Sequence, residues 1–336
     1  MLVFRRRRRF SVIGLLSWLY LVALLVWFSL RLLFFDRFWW LALLNTLAFY
    51  LFVPIVVFLP LYLWSRQRQL LLGLLFACLL FLSLFYPLFN PFAKAALPAP
   101  AQPTLKVISF NLRWDNQNYG KVAQMIRTAQ PDLIGLQELQ PGEVSNLAAV
   151  LAPDYPYRAV HPVDLFHTVA LFSRLPIDSM TALPNPPLER GLQVTIHDKN
   201  DRPLNVLVTH LAPNNMPLFP LSRFAAETRD RYSRRAAETA SLQTLVRSQS
   251  LPTLMLCDCN MTDTSETYAQ LRQVFKDSFQ ERGWGLGHTI SVKGIPFPVQ
   301  RIDYIWHTDE IQAIDAFVGP DANSDHLPIV ATLRYP

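Results

Sequence analysis

The chain has 336 residues, 51% of them hydrophobic and only 17% charged, with a mean hydropathy of +0.19 and a net charge of +6. That composition excludes a disordered chain, a collagen-like repeat and a disulfide scaffold, and it is too apolar for an ordinary soluble protein. The charge is divided: residues 1–94 carry ten lysines and arginines against one acid, whereas residues 95–336 carry 21 against 24, a balance of −3. The polar part therefore lacks the basic footprint of a general nucleic-acid binder.

Three uncharged runs fill the apolar part: Phe10–Leu30, Phe38–Ser65 and Leu70–Ala93. Each reaches the roughly 20 residues a helix needs to cross the hydrocarbon core, which predicts a membrane domain of three transmembrane helices over residues 1–94. Pro54 and Pro60 are expected to kink the second helix, and Trp39, Trp40 and Trp64 near its ends suit the headgroup level. A cleaved signal peptide is the rival reading of the first run, because Arg5–Arg9 resembles a basic leader. The run is longer than a signal core, lacks a small-x-small cleavage site, and is followed by two more.

Arg5–Arg9 with Arg66 and Arg68 place seven bases on one side, and Arg31, Arg37 and Lys94 place three on the other. The positive-inside rule makes the seven cytoplasmic, so three crossings put everything after Lys94 outside the cytoplasm. Residues 95–104, with the Ala/Pro-rich stretch Ala95–Pro103, read as a short stiff linker that holds a second domain, 105–336, close to the bilayer.

From Leu105 onward short β runs alternate with helical stretches, the pattern of an α/β domain. The predicted strands are Leu105–Asn111, Leu133–Gln137, Val169–Ser173, Gln193–Ile196, Leu204–Thr209, Thr253–Asp258, Ile302–His307 and Ile329–Leu333. The predicted helices are Gly120–Ala129, Glu143–Leu151, Arg234–Arg247 and Ser265–Phe275, with Asn118 capping the first and Thr264 the last. Cys257 and Cys259 flank Asp258. A bridge so close in sequence would be strained, so they are expected as two small buried hydrophobes, and Cys78 falls in the third apolar run.

Polar residues gather where the strands end: Asn111, Glu138, His210, Asp258 with Asn260, Asp303, and Asp325-His326 just before the last strand. Singly, each has an ordinary role as a turn residue, a cap or a satisfied buried histidine. Together they fit the place where α/β sheets carry chemistry. The donor types suit metal-assisted phosphoester hydrolysis. Glu138 with Asn111 offers hard oxygen ligands for Mg²⁺, or Mn²⁺ in its place, and no Cys/His cluster has zinc spacing. Asp258 with Asn260 suits orienting and deprotonating a water. His210 and His326 suit stabilising charge on phosphoryl oxygens, and a neighbouring acid would hold one imidazole in place.

The segments Ser109-Phe110-Asn111, Leu136-Gln137-Glu138, Thr209-His210-Leu211, Cys257-Asp258-Cys259-Asn260, Arg301-Ile302-Asp303-Tyr304 and Ser324-Asp325-His326-Leu327-Pro328 occur in this order. So ordered, and with Val169–Ile177 resembling an A-x-x-S-R-x-P-I strand, the chain from Leu105 to Leu333 resembles the endonuclease/exonuclease/phosphatase superfamily. The resemblance implies a four-layer α/β sandwich, two mixed β-sheets packed face to face with helices outside. It implies a metal site at Asn111 and Glu138 with Asp325 near it, and a phosphate contact at His210. It also implies a water-positioning pair at Asp258 and Asn260, and an Asp303 that orients His326. The sequence departs from the family's G-D-x-N pattern, with Cys257 in place of the glycine and Cys259 at the variable position. Three apolar runs ahead of such a domain, together with Gly285-Leu286-Gly287-His288-Thr289, resemble the membrane-anchored bacterial subgroup that includes glycopeptide-resistance proteins.

The expected activity is a membrane-anchored, divalent-metal-dependent phosphoesterase acting on a lipid-linked phosphate or pyrophosphate outside the cytoplasm. An extracytoplasmic nuclease is the second enzymatic reading, and a non-catalytic binding or sensing module is the reading from another class. Arg223, Arg229, Arg231, Arg234 and Arg235, soon after His210, form either a solvated face or a basic lip that grips phosphate headgroups. Leu218, Phe219 and Leu221 just ahead either dip into the interface or fill a local core.

Overall fold

A computed structural model describes residues 12–65, 68–91, 103–164, 166–213 and 220–335. Arg5–Arg9, Arg66, Lys94, nearly all of the Ala/Pro-rich linker, Leu218 and Phe219 lie outside the described residues. The chain divides into two compact units, Met1–Tyr86 and Pro87–Pro336.

The apolar end contains α1 (Val12–Phe34), α2 (Trp39–Thr46), a 3₁₀ turn at Ala48–Phe52, α3 (Pro54–Ser65) and α4 (Arg68–Phe89). Among the described residues two helices, Gly14–Phe34 and Leu70–Phe89, are long and apolar enough to cross a membrane. The second run expected as one kinked span is instead broken, its halves bent by 69°. The break falls ahead of Pro54, at a polar pair. The Asn45 amide donates to the Phe35 carbonyl and to Asp36 and accepts from the Trp27 indole, and Thr46 donates back to the Ala42 carbonyl. Pro54 then opens α3 at a position where a missing N–H costs nothing. The described helices give three crossings only when the bent pair is counted as one span.

The second unit is built on β1 (Thr104–Asn111), α5 (Tyr119–Ala129), β2 (Leu133–Leu139), α6 (Pro141–Leu151), β3 (Tyr157–His161), β4 (Thr168–Ser173), β5 (Ile177–Ala182), β6 (Gly191–His197) and β7 (Pro203–His210). It continues through α7 (Leu221–Ser248), β8 (Thr253–Asp258), α8 (Glu266–Leu271), β9 (Lys276–Asp277), α9 (Ser278–Arg282), β10 (Ile290–Ser291), β11 (Pro298–Gln300), β12 (Asp303–His307), β13 (Gln312–Val318) and β14 (Ile329–Arg334). Two six-stranded sheets form, ordered β13-β14-β1-β2-β4-β3 and β5-β6-β7-β8-β12-β9, with β10-β11 as a small separate ribbon. Both large sheets are mixed: β1 and β2 are parallel, as are β7 and β8, and the remaining pairs are antiparallel.

Alternation along the strands explains the layers. On β1, Ile108 and Phe110 face a core with Val122 and Ile126 of α5 and Leu147 and Leu151 of α6. On β8, Met255 and Cys257 face a second core with Leu242 of α7 and Tyr268 and Leu271 of α8. The opposite faces of the two sheets meet each other. Gly135 of β2 lies so close to Leu256 of β8 that a Cβ there would sit 2.7 Å from the leucine side chain. Beside it, the buried Gln137 amide donates across the sheets to the Leu256 carbonyl. This is the four-layer α/β sandwich that the family resemblance implies.

Some local expectations change. Asn118 caps α5 by accepting from the Lys121 amide, but α8 is capped by Ser265 rather than Thr264, and it ends at Leu271. The helix expected at Arg234–Arg247 begins thirteen residues earlier, at Leu221. Cys257 and Cys259 are fully buried as expected, yet they are joined in a disulfide. The strand ends at Asp258, and the bend there brings the two Cα atoms to 5.1 Å, within bridging reach.

Candidate active site

Inward-facing positions at one end of both sheets converge. Asn111 closes β1 and Asp258 closes β8, each on the face that meets the other sheet, and the Asn111 amide donates to Asp258 Oδ2 at 2.8 Å. Register delivers two more groups. His210 pairs with Asp258 across the parallel β7–β8 ladder, and Asp303 pairs with Asp258 across the antiparallel β8–β12 ladder, so all three share one face.

Glu138 breaks the alternation. Ile134 and Leu136 of β2 face the helices, and strict period two would send Glu138 the same way. The ladder to β4 is irregular between Leu136 and Leu139, and Glu138 has φ +55°. A left-handed residue at a bulge redirects its side chain, and backbone strain of this kind collects at functional sites. Its Oε1 accepts from the Asn111 amide at 3.0 Å and lies 3.6 Å from His210 Nε2. A capping box in which Glu143 accepts from the Gln140 amide starts α6 directly afterwards.

His326 arrives from the loop before β14. Ser324 donates to the Asn111 carbonyl and accepts from the His326 amide, which ties this loop to the end of β1. The His326 Nδ1–H donates to Asp303 Oδ2 at 2.9 Å, and its Nε2 is 3.9 Å from Asp258 Oδ2. Thr289 steadies both partners. Its hydroxyl accepts from the Ile302 and Asp303 amides, and its carbonyl accepts from the Leu327 amide. The Asn260 amide group donates to the Leu211 carbonyl, while the Asn260 backbone N–H donates to Asp258 Oδ1. Every predicted site residue thus lies at this end, with Asp325 beside Glu138 and His326 in the wall of the same cleft.

The electrostatics divide the site. Burial works against a charged His326, yet Asp303 and Asp258 outweigh it and raise the imidazole to about 10. Burial, then the neighbouring Asp303, pushes Asp258 up to about 8. His210 is driven well below 6.5, first by burial and then by Arg190, His167 and His326, so it stays neutral. Both His210 ring nitrogens are buried without a hydrogen-bond partner among the described residues. Such groups are costly unless a ligand completes them.

The donor set fits a hard divalent cation. Glu138, Asp258 and His210 place ligand atoms within 4.8 Å of one another, as do Asp258, Asp303 and His326. Three carboxylates line the cleft, Glu138, Asp258 and Asp325, while Asp303 pairs with His326 and Asp115 with Arg113, leaving a negative surplus that a cation would neutralise. The Asn111 side-chain Oδ1 accepts from the Arg113 amide, so its NH₂ is the end aimed at the carboxylates.

The cleft has a volume of about 820 Å³. Beyond the charged groups it is lined by Trp114, Phe166, Ile290 and Val292. Trp114 and Phe166 are 45% and 43% exposed and pack edge to face at 5.3 Å. Sequence reasoning missed these two and His167, because they sit on irregular loops with no motif around them.

The arginine-rich segment on α7 has a divided role. Arg235 is fully buried and donates to the Ala212 carbonyl, Arg231 donates to the Pro213 carbonyl, and Glu238 accepts from the Ala212 amide. These three hold the loop that follows His210. Arg223, Arg229 and Arg234 are exposed, Arg234 in an ion pair with Asp230.

The endonuclease/exonuclease/phosphatase family model matches residues 108–326, and the chain belongs to that family. Solved structures share the fold. An endonuclease/exonuclease/phosphatase from Bacteroides vulgatus matches at 19% identity with a TM-score of 0.56, over 70% of this chain and 100% of its own. A mannosyl-6-phosphatase from Bacteroides thetaiotaomicron matches at 18% and 0.54, over 69% of this chain and 100% of its own. The human nocturnin catalytic domain, with bound sulfate, matches at 18% and 0.54, over 70% and 94%. A search of curated proteins found no match.

Proposed function

We propose that the protein is a membrane-anchored phosphoesterase that uses a divalent cation, Mg²⁺ or Mn²⁺, to hydrolyse a phosphate ester or pyrophosphate carried on a lipid, outside the cytoplasm. The observation that carries the phosphoesterase reading is the buried meeting of Asp258, Asp303, His326, His210 and Glu138 at the shared end of two sheets. Glu138 and Asp325, with Asn111 behind them, would hold the cation, which when bound polarises a phosphoryl oxygen and offsets its charge.

The chain's own groups account for the remaining chemistry. The ionised form of Asp258, made more basic by burial, takes a proton from a water held near Asn260. The His326 imidazolium, fixed by Asp303, faces developing negative charge, and neutral His210 has an unused ring N–H for a phosphoryl oxygen. A non-catalytic module has no use for so costly an arrangement.

Two features support the lipid. The apolar wall of Trp114, Phe166, Ile290 and Val292 adjoins the charged end of the cleft, and apolar helices precede the domain. An anchored enzyme meets lipid substrates at high effective concentration. The −3 balance of residues 95–336 disfavours a nuclease. Purified full-length protein with Mg²⁺ is expected to release phosphate from isoprenyl phosphates or phospholipids and to spare plasmid DNA. Equal cleavage of DNA would favour the nuclease, and no hydrolysis of any ester would favour a binding module. A phosphatase reporter fused after Pro336 is expected to be active outside the cytoplasm. Activity of a cytoplasmic reporter instead would reverse the orientation, as two crossings rather than three require.

A further inference from the structure

Water attack at phosphorus also requires a proton for the departing oxygen, and neither buried imidazole suits that task. His326 has its Nδ1 bonded to Asp303 and its Nε2 3.9 Å from Asp258, and His210 is only 2% exposed, with Nε2 3.5 Å from Asp258 and 3.6 Å from Glu138. A third imidazole stands on the cleft wall. His167 precedes β4, its side chain is 26% exposed, and its ring lies 6.0 Å from that of His210, centroid to centroid.

Its orientation is set locally. Asp164 accepts from the Phe166 amide at 2.7 Å and from His167 Nδ1–H at 2.7 Å. Burial opposes the charge of this carboxylate, but those two hydrogen bonds hold it below its usual range. A carboxylate on Nδ1 leaves Nε2 as the reactive atom of the ring. Among the described residues none bonds to that Nε2, and the ring borders both the catalytic cleft and a second cavity of about 580 Å³ lined by Arg190 and Glu238.

We propose that His167 is the general acid of the hydrolysis proposed above, donating a proton from Nε2 to the leaving-group oxygen, with Asp164 as its positioning residue. The step balances. The water oxygen forms the new P–O bond and gives its proton to Asp258. The old P–O bond breaks with its electron pair going to the leaving oxygen, and that oxygen takes the proton from His167. Solvent at the open edge of the ring returns the proton from Asp258 to His167, so the net products are an alcohol and a phosphate.

This assignment rests on the phosphoesterase reading, and leaving-group dependence separates the two. Full-length wild type, His167→Gln and Asp164→Asn are assayed on alkyl and p-nitrophenyl phosphate esters with Mg²⁺ or Mn²⁺. A p-nitrophenolate leaves without a proton, whereas an alkoxide does not. His167→Gln is expected to lower kcat on the alkyl ester by about 10²-fold and on the p-nitrophenyl ester by no more than about threefold. Asp164→Asn should show the same pattern with a smaller loss. Activity on the p-nitrophenyl ester also shows that each variant is folded. Equal losses on both esters, or no loss on the alkyl ester, would overturn the assignment and leave the phosphoesterase reading standing. A wild type inactive on both esters would overturn both.

Discussion

Two imidazoles flank Asp258, are buried alike, and differ in charge state, one a cation and one neutral. His326 has a carboxylate at hydrogen-bonding distance on Nδ1, 2.9 Å away, and a second at 3.9 Å. His210 has carboxylates at 3.5 and 3.6 Å, neither in a hydrogen bond, and Arg190 nearby. Desolvation disfavours the cation in both; at His326 the charges of Asp303 and Asp258 and the Asp303 hydrogen bond reverse it, whereas at His210 Arg190, His167 and His326 add to it. The sign of the charges around each ring thus decides which is a fixed cation and which is a neutral donor.

The largest break in this arrangement comes from the carboxylate between the rings. Asp258→Asn should cut kcat by about 10³-fold or more by removing the base, with the fold kept, as steady-state assays and circular dichroism would show. Asp303→Asn should cost about 10²-fold. It also carries a signed pH effect. His326 acts as a cation, so activity that needs it persists up to about pH 10 and falls above. Removing the carboxylate moves that alkaline limb toward neutral pH, and an unmoved limb would show that Asp303 does not set the charge.

The neutral ring gives a smaller effect on stability. His210 stays uncharged in the folded state, whereas the unfolded chain takes up a proton below about pH 6.5. Stability should therefore fall with decreasing pH, by about 1 kcal/mol per unit below that point, and His210→Gln should flatten the slope in thermal melts. Smallest is the effect of Glu238, which burial raises to about 7 from 4.5. The folded state keeps its proton while the unfolded chain loses it, so stability falls as pH rises between those values. Glu238→Gln retains an acceptor for the Ala212 amide and should be more stable than wild type by roughly 1 kcal/mol at pH 8, with no gain at pH 4.

Central strands and edge strands differed in how plainly they could be read. β1, β2, β4, β7, β8, β12 and β14 announce themselves as apolar runs because helices or a second sheet cover them. The strands missed, β3, β5, β9 and β13, are the four sheet edges, where exposed positions erase the hydrophobic pattern. The short β10–β11 ribbon was missed as well. The polar residues at strand ends were readable one by one. Their partners were not, since Asn111 and Asp258 are 147 residues apart.

The residue types of the site, its order of motifs and the apolar character of the N-terminal run follow from the amino-acid sequence alone, because period, composition and short motifs are local properties. Tertiary structure decided what depends on contact between distant segments. It turned Glu138 inward at a bulge, broke the second apolar run at Asn45, joined Cys257 to Cys259, buried Arg235 and set His167 beside His210. Charge state belongs with these, since it is fixed by the distance between groups and the water removed from around them.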